Sequence, residues 1–174
     1  SKENDITVAS IFVNPTQFNK KEDLDNYPKT LENDLNLLEK IACDVVFIPS
    51  VEEIYNNTIL ARQFDFDGLE NEMEGKYREG HFNGVGTIVK KLFEIVLPTH
   101  AYFGEKDFQQ LQIIRKLVKK TSLDVKIVCC ATYREANGLA MSSRNARLTL
   151  QEKEAAAIIY QILSGVKDKH GKLP

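Results

Sequence analysis

Short apolar runs alternate along the chain with longer stretches in which apolar residues recur every three or four positions. The short runs are nearly continuous in their apolar character and rich in Val, Ile and Phe, which is typical of strands covered on both faces. They are residues 6–13, 44–48, 99–103 and 124–130. The longer stretches have the period of amphipathic helices, and they are residues 31–41, 81–97 and 107–120. Strands that alternate with helices predict right-handed crossovers, and hence a doubly wound, Rossmann-like α/β fold around a parallel sheet.

Local signals at the ends of these elements agree with the pattern. Pro98 cannot continue a helix, so it separates the second helix from the third strand. Ser50 and Glu53 have the spacing of a capping box, which predicts a further short helix directly after the second strand.

The pattern of apolar and polar residues changes at Tyr133. Residues 134–147 are polar and show no clear period, and a new helical pattern follows at residues 150–163. We therefore predict two domains, a Rossmann-like domain at residues 1–132 and the start of a smaller domain at residues 133–174.

Composition narrows the classes of function. The 174 residues carry 23 Lys and Arg against 25 Asp and Glu, and this near balance argues against nucleic acid or an anionic membrane as the main partner. No apolar run approaches the roughly 20 residues that a membrane-spanning helix needs. Cys43, Cys129 and Cys130 form no C-x-x-C pair, so we expect a reducing cytoplasm rather than a disulfide framework.

The first segment with candidate chemistry follows the first strand and reads Phe-Val-Asn-Pro-Thr-Gln-Phe at residues 12–18. Ligands of open parallel sheets bind beyond the carboxyl ends of the strands, where the amides of Asn14 and Gln17 could hydrogen-bond a small polar molecule. Asn14-Pro15 is also an ordinary turn sequence, and the spacing by itself favours that interpretation.

A second segment lies where the third strand leads into the next helix. Gly104 would allow a ligand close to the backbone, and the start of the helix offers free N–H groups to an anion. Lys106 would add a positive charge for phosphates, and Gln110 lies one turn into the helix. Alternatively, Asp107 is an N-cap with Gln110 as its capping-box partner, and the sequence allows both interpretations.

Two further segments contain polar side chains that suit an anion. Ser142, Ser143 and Arg144 could form a loop that closes over a triphosphate, although an isolated Ser-Ser-Arg is more often an ordinary surface loop. His81 stands at the predicted start of a helix, where a single histidine is more often structural than a ligand contact. No His and Cys residues have the spacing of a zinc site.

Taken together and in this order, the segments resemble the pantoate–β-alanine ligases (pantothenate synthetases), a family of the nucleotidyltransferase superfamily with an HxGH motif. The matching pieces are residues 10–18 (SIFVNPTQF), 23–28 (DLDNYP), 75–85 (GKYREGHFNGV), 101–111 (AYFGEKDFQQL) and 134–145 (REANGLAMSSRN). The resemblance implies that ATP activates the carboxylate of pantoate as pantoyl adenylate, and that the amine of β-alanine then displaces AMP. It also implies a homodimer.

The resemblance carries roles to individual residues by position. Pantoate or β-alanine would contact Asn14, Gln17, Arg78 and Gln110. ATP would contact Gly104, Glu105, Lys106, Asp107, Met141, Ser142, Ser143 and Arg144. Lys106 and residues 142–144 would be the catalytic groups that stabilise charge. Asp34 corresponds to an acidic position near Mg²⁺, although Asn33 stands where an aspartate often accompanies it.

The resemblance further implies that the HxGH motif and a mid-sheet strand lie upstream of residue 1, and that most of a C-terminal lid domain lies beyond residue 174. On that expectation the chain by itself lacks a catalytic element, and two strands lack a neighbour. Two other hypotheses stay open. One is adenylyl transfer to a different acceptor at the same ATP site, which a substrate screen would detect. The other is an inactive fragment that binds only nucleotide or a partner, which an intact mass would help to recognise.

Overall fold

The computed structural model describes residues 3–28, 30–56 and 58–170. The outer ends of the two predicted domains, residues 1–2 and 171–174, lie outside the described residues, and the domain boundary itself stays a prediction. None of the helices in the described part of the chain is long and apolar enough to cross a membrane.

In the described part of the chain, four short strands form two parallel pairs. The strands are β1 (Val8–Ser10), β2 (Val45–Phe47), β3 (His100–Gly104) and β4 (Lys126–Cys130). β1 pairs with β2, and β3 pairs with β4. Because parallel neighbours need a long crossover, each pair encloses a helix in the sequence. These two strand–helix–strand units confirm the predicted Rossmann-like α/β class.

The three helices predicted at residues 31–41, 81–97 and 107–120 begin and end within one residue of these bounds, and the last helix runs to residue 170 rather than to residue 163. The helices are α1 (Lys21–Asp25), α2 (Leu31–Lys40), α3 (Val51–Tyr55), α4 (His81–Val96), α5 (Phe108–Thr121) and α6 (Leu150–His170). The predicted capping box of α3 is present, since Glu53 N donates to Ser50 Oγ at 3.1 Å and Ser50 N donates to Glu53 Oε2 at 2.7 Å. α4 ends where Leu97 adopts a left-handed conformation directly before Pro98. Helix α1 was not predicted, because five residues are too few to show a period.

The expectation that the strands are covered on both faces is wrong for β1 and β2, and also for β3, where Tyr102 is 45% exposed. Val8 is 40% exposed and Val45 is 46% exposed. Within the described residues β1 pairs only with β2, and β3 pairs only with β4, so the two pairs do not form one continuous sheet. A strand with a single neighbour also leaves the main-chain groups along its other edge unpaired.

Helix α4 supplies much of the core and also holds the segment that follows β1. The buried core residues are Ile54, Tyr55, Phe66, Phe82, Val85, Ile88, Val89, Phe93, Ile113, Ile114 and Leu117. On its other contact face, α4 packs against the 3₁₀ turn Pro15–Gln17. A Cβ at Gly84 would lie 2.2 Å from the main-chain oxygen of Thr16, so only glycine allows this close approach.

Residues after β4 fold back into a tight loop that rests on α6. Arg134 forms an antiparallel bridge with Ala140, and its guanidinium lies 3.8 Å from the ring centre of Tyr160. Gly138 has a φ of +94°, and a Cβ there would lie 2.7 Å from the same ring. Tyr160 therefore supports the loop that leads into residues 142–144.

Candidate active site

A cleft of about 230 Å³ opens after the carboxyl end of β1, between the turn that follows this strand and the first turns of α4 and α5. Its lining residues are Phe12, Val13, Asn14, Gln17, Phe18, Tyr27, Glu74, Arg78, His81, Asp107, Gln110 and Arg144. Polar groups from segments far apart in the sequence therefore meet at the position where open parallel sheets bind ligands.

Only some of the residues that were predicted to contact substrate, ATP or metal line the cleft. It includes Asn14, Gln17, Arg78, Asp107, Gln110 and Arg144. The predicted residues that do not line it, in the described part of the chain, are Asp34, Gly104, Glu105, Lys106, Met141, Ser142 and Ser143. Most of these are close neighbours in sequence of Asp107 or Arg144 and so lie near the edge of the cleft.

Both ends of the Asn14 side-chain amide form hydrogen bonds within the protein. Asn14 is 2% exposed, and its Oδ1 accepts hydrogen bonds from Tyr55 at 2.5 Å and from the hydroxyl of Thr16 at 3.1 Å. Its Nδ2 donates to the main-chain oxygen of Gly84 at 3.2 Å. The geometry therefore supports the turn interpretation for Asn14, whose amide begins the 3₁₀ turn rather than reaching freely into the cleft.

Gln17 differs from Asn14 because only its main chain is engaged. Its carbonyl oxygen accepts hydrogen bonds from His81 Nδ1 at 2.8 Å and from Arg78 Nη2 at 3.1 Å. Arg78 also forms an ion pair with Glu74. Within the described residues the side-chain amide of Gln17 has no hydrogen-bond partner, so it is available to a molecule in the cleft.

The environment of His81 fixes both its tautomer and its charge. A carbonyl oxygen can only accept, so Nδ1 carries the proton and Nε2 is an acceptor in the neutral ring. Burial lowers the pKa of His81, and the positive charge of Arg78 acts in the same direction, while the bond to Gln17 opposes them. His81 therefore sits in the cleft as a neutral imidazole near pH 7.

We expect the protein to lose stability through His81 as the pH falls below about 6.5, the usual pKa of a histidine. In that range the unfolded chain binds a proton while the buried ring does not, so unfolding becomes more favourable until the lower folded pKa is reached. Above the usual pKa both states are neutral and the effect disappears.

Urea unfolding at about pH 7.5 and about pH 5.5 measures this effect, with His81→Gln as the variant that cannot titrate. The loss of unfolding free energy between the two pH values should be smaller in His81→Gln than in the unsubstituted protein. Equal losses in the two proteins would contradict a lowered pKa of His81. An NMR titration of the imidazole would give this pKa directly.

Two neighbouring glutamines at the start of α5 have opposite environments. Gln109 is 8% exposed, and its amide nitrogen donates to the main-chain oxygens of Leu69 at 2.8 Å and Glu72 at 2.7 Å. Its Oε1 accepts a hydrogen bond from Glu74 N at 3.0 Å. Gln110 lines the cleft, and its amide has no partner within the described residues. Gln109 thus holds the loop before α4, and Gln110 is free to bind a ligand.

The predicted capping role of Asp107 is not observed. Asp107 precedes α5, but its side chain makes no cap hydrogen bond and lines the cleft instead. A 3₁₀ turn, Glu105–Asp107, leads into the helix. The carboxylate of Glu105 accepts a hydrogen bond from the thiol of Cys129 at 3.1 Å, and this contact raises the pKa of that thiol. The Glu105 side chain therefore turns toward β4.

The loop that contains Arg144 is anchored at the mouth of the cleft by residues 23–27. Arg144 Nη2 lies 3.1 Å from Asp23 Oδ2, and Tyr27 Oη lies 3.3 Å from Ser143 Oγ. Arg147 also pairs with Asp23 at 3.4 Å. Partial burial raises the pKa of Asp23, but the hydrogen bonds and charges of the two arginines outweigh it and hold that pKa below its usual value. The Arg144 guanidinium is thus fixed where it can meet an anion.

Asp34 lies on α2, and both of its carboxylate oxygens are 3.2 Å from the hydroxyl of Thr30, which donates to them. The described residues contain no group of three or more His, Cys, Asp or Glu that could hold a metal ion by themselves. Asp34 does not line the cleft, and a Mg²⁺ site that it would share with substrate phosphates stays a prediction.

The sequence matches the family model described as pantoate-beta-alanine ligase over residues 1–173. The chain belongs to the pantoate–β-alanine ligase family. It is 60% identical over 169 residues to the pantothenate synthetase of Flavobacterium psychrophilum, and this alignment covers 97% of this chain and 60% of the relative. It is 56% identical over 161 residues to the Bacteroides fragilis pantothenate synthetase, covering 92% and 57%. The chain thus spans about 60% of the length of these relatives.

Solved structures of the ligase family share the fold. The pantothenate synthetase of Thermus thermophilus superimposes with a TM-score of 0.90 at 41% identity, over 98% of this chain and 62% of that one. The ligase of Francisella tularensis, solved in complex with a β-γ ATP and β-alanine, gives 0.86 at 44% identity over 94% and 62%. The family resemblance predicted from the sequence is therefore confirmed.

Several residues of the cleft were not predicted. Asp23 and Tyr27 lie inside a matching piece of sequence but received no role, and Glu74 received none either. Asp23 and Arg144 are 121 positions apart, and a single sequence contains no signal that would pair them. Phe12, Val13 and Phe18 line the cleft because they flank Asn14 and Gln17, which the position of the segment after β1 could have indicated.

Proposed function

We propose that this chain binds ATP and pantoate in an enzyme that condenses pantoate with β-alanine to pantothenate, releasing AMP and pyrophosphate. The observation that carries the proposal is the cleft itself, in which the unpaired amides of Gln17 and Gln110 meet the guanidinium groups of Arg78 and Arg144. Amides recognise the hydroxyl and carboxylate oxygens of a small hydroxy acid, and guanidinium groups recognise carboxylates and phosphates.

The proposed reaction has two steps. A carboxylate oxygen of pantoate attacks the α-phosphorus of ATP, and the bond to pyrophosphate breaks. The amine of β-alanine then attacks the acyl carbon of the adenylate, AMP leaves, and the nitrogen loses its proton. Neither step needs a covalent bond to the protein, so the protein acts by positioning the reactants and stabilising charge.

The ATP side of the site would be built by the turn between β3 and α5 together with the loop before α6. Lys106, Ser142, Ser143 and Arg144 would stabilise the phosphates, and Gly104, Glu105, Asp107 and Met141 would line the nucleotide. A side chain at Gly104 would meet no atom within 4 Å. A ligand therefore has room beside the backbone at this position. Mg²⁺ would arrive with ATP and share Asp34 with the phosphates.

We also propose that the enzyme is a homodimer, as the family resemblance implies, and that it works in the cytoplasm, as its cysteine pattern indicates. Large apolar side chains that stay exposed support an assembly, among them Ile59 at 51% and Leu60 at 69%. Light scattering on a sizing column would give the mass of the assembly, and a monomer at micromolar concentration would contradict this part of the proposal.

The decisive test is AMP release with ATP and Mg²⁺, with and without pantoate and β-alanine. It should be made on the chain as it stands and on a hybrid in which the chain replaces the matching part of the Flavobacterium psychrophilum relative. Release by the hybrid that depends on both substrates would support the proposal. Release with another carboxylate in place of pantoate, or none with any, would contradict it.

The pair Gln109 and Gln110 offers a matched comparison in the hybrid. Gln110→Ala should raise the KM for pantoate by about ten- to a hundredfold, since a lost hydrogen bond to a charged group costs roughly 1.5–3 kcal/mol, and leave stability unchanged. Gln109→Ala should lower the free energy of unfolding by about 1–3 kcal/mol, because it breaks three partly buried hydrogen bonds to main-chain groups. Steady-state kinetics and urea unfolding of both variants would test this, and a Gln110→Ala variant with unchanged pantoate KM would remove Gln110 from the substrate site.

A further inference from the structure

Tyr55 lies outside the cleft but contacts the residue that begins its substrate-facing turn. The ring is buried at the end of α3, with 5% of the residue exposed. Its hydroxyl donates to Asn14 Oδ1 at 2.5 Å and lies 3.0 Å from the hydroxyl of Thr16. Burial raises the pKa of Tyr55, and its contacts with Thr16 and Asn14 only partly offset this, so the phenol keeps its proton at neutral pH.

The turn is held from two directions. On one side Tyr55 and Thr16 occupy the oxygen of the Asn14 amide. On the other side the Asn14 nitrogen donates to the main-chain oxygen of Gly84 on α4. Because the Gly84 carbonyl can only accept, the nitrogen of the Asn14 amide must face it, and the amide oxygen is then left to accept from Tyr55 and Thr16.

The position of Asn14 decides where Gln17 lies. The Asn14 main-chain oxygen accepts a hydrogen bond from Gln17 N at 3.3 Å, and the Pro15 oxygen accepts one from Phe18 N at 3.3 Å. His81 fixes the carbonyl of Gln17 from α4. The turn is therefore bonded at its first residue and at its last, and only the Gln17 side chain is left to a ligand.

We propose that Tyr55 is a positioning residue for the substrate, which acts through Asn14 to set the place of the Gln17 amide in the cleft. This inference rests on the proposed function, since it assigns the acceptor pantoate to the side of the cleft that Gln17 occupies. Small displacements of a substrate-holding group have large kinetic effects, so a hydroxyl outside the cleft can influence pantoate use without touching it.

The substitution Tyr55→Phe tests the proposal because it removes the hydroxyl and keeps the buried ring. In the hybrid enzyme, the KM for pantoate should rise by about three- to tenfold, as expected for the loss of one hydrogen bond that holds the site. The KM for ATP should stay within about twofold, because the ATP side of the cleft does not depend on this turn. Gln17→Ala should raise the same KM at least as much.

Thr87→Val is the matched control. Thr87 is also a buried hydroxyl, 2% exposed, but it bonds Arg62 N at 2.8 Å and Asn83 O at 2.7 Å, away from the Pro15–Gln17 turn. Its loss should lower stability without a selective change in the KM for pantoate. If Tyr55→Phe and Thr87→Val change all kinetic constants alike, the role of Tyr55 is only structural and the proposal is overturned.

Amide hydrogen exchange on the chain provides a readout that does not need turnover. Exchange at Gln17 and Phe18 should become faster in Tyr55→Phe and stay unchanged in Thr87→Val, and equal exchange in both would overturn the proposal. An unsubstituted hybrid that releases no AMP would contradict the proposed function instead. If Tyr55→Phe does not fold, Thr16→Val and Thr16→Ser replace it, since valine removes the hydroxyl beside Asn14 and serine restores it; equal exchange in these two would also overturn the proposal.

Discussion

Replacing Lys106 with alanine should stop adenylate formation while leaving the fold intact. Lys106 is exposed in the turn between β3 and α5, next to Asp107, which lines the cleft. Within the described residues its ammonium group has no ion pair, so the charge does not serve the stability of the protein. Loss of one group that stabilises charge in a transition state typically costs about a hundred- to a thousandfold in kcat.

The measurement is pyrophosphate release by the hybrid enzyme with ATP and pantoate, before β-alanine is added. Lys119→Ala is the control, because Lys119 is also exposed and also lacks an ion pair in the described structure, but it lies in the last turn of α5. Urea unfolding should be the same for both variants. Unsubstituted rates in Lys106→Ala would remove this residue from the site and reopen the assignment of the phosphate side.

The helices and strands could be predicted because their signals are local. The period of α4 and α5, the proline after α4 and the capping box of α3 each lie within one element. The segment before α4 has no such signal. Main-chain N–H groups of Arg62 and Phe64 donate to side chains of Thr87 and Asn83, which lie 25 and 19 positions further along. An extended segment bonded by side chains of a helix has no period that a sequence pattern could show.

The position of the candidate site could be predicted from the sequence. Which of its amide side chains bond within the protein, and which are free to bind a ligand, could not be predicted. Asn14 and Gln17 are both amides in one turn, and Gln109 and Gln110 are adjacent, yet one member of each pair is bonded within the protein. The Asn14 amide is held within the protein by its hydrogen bond to the carbonyl of Gly84, 70 positions away in the sequence. Only the fold brings these groups together, so the sequence left the turn and ligand interpretations open.

The contact that positions the charge of Arg144 could not be predicted from the sequence either. The sequence predicted Arg144 as a phosphate ligand from the Ser-Ser-Arg pattern and from the family resemblance, but it could not show what holds the guanidinium in place. In the structure Asp23 does so at 3.1 Å. An arginine that is already paired loses less conformational freedom when a phosphate arrives, although it must share or exchange its partner.

Gly84→Ala should disturb the fold and the site together. A Cβ on residue 84 would lie 2.2 Å from the main-chain oxygen of Thr16 and 2.6 Å from its carbonyl carbon. Both atoms belong to the backbone, so no side-chain rotation relieves the contact, and either α4 or the Pro15–Gln17 turn must move. Overpacking of this kind costs about 1–3 kcal/mol of stability, and the displaced Gln17 should raise the KM for pantoate by more than about tenfold.

Gly165→Ala is the matched control for this substitution. Gly165 lies within α6, and a Cβ there would meet no atom within 4 Å. Alanine should therefore stabilise the helix by up to about 1 kcal/mol, the difference between the two residues in a helix interior. Urea unfolding and pantoate kinetics of both variants would separate a general effect of an added methyl group from the close contact at Gly84. If Gly84→Ala is as stable and as active as Gly165→Ala, α4 does not hold the turn, and the placement of Gln17 needs another cause.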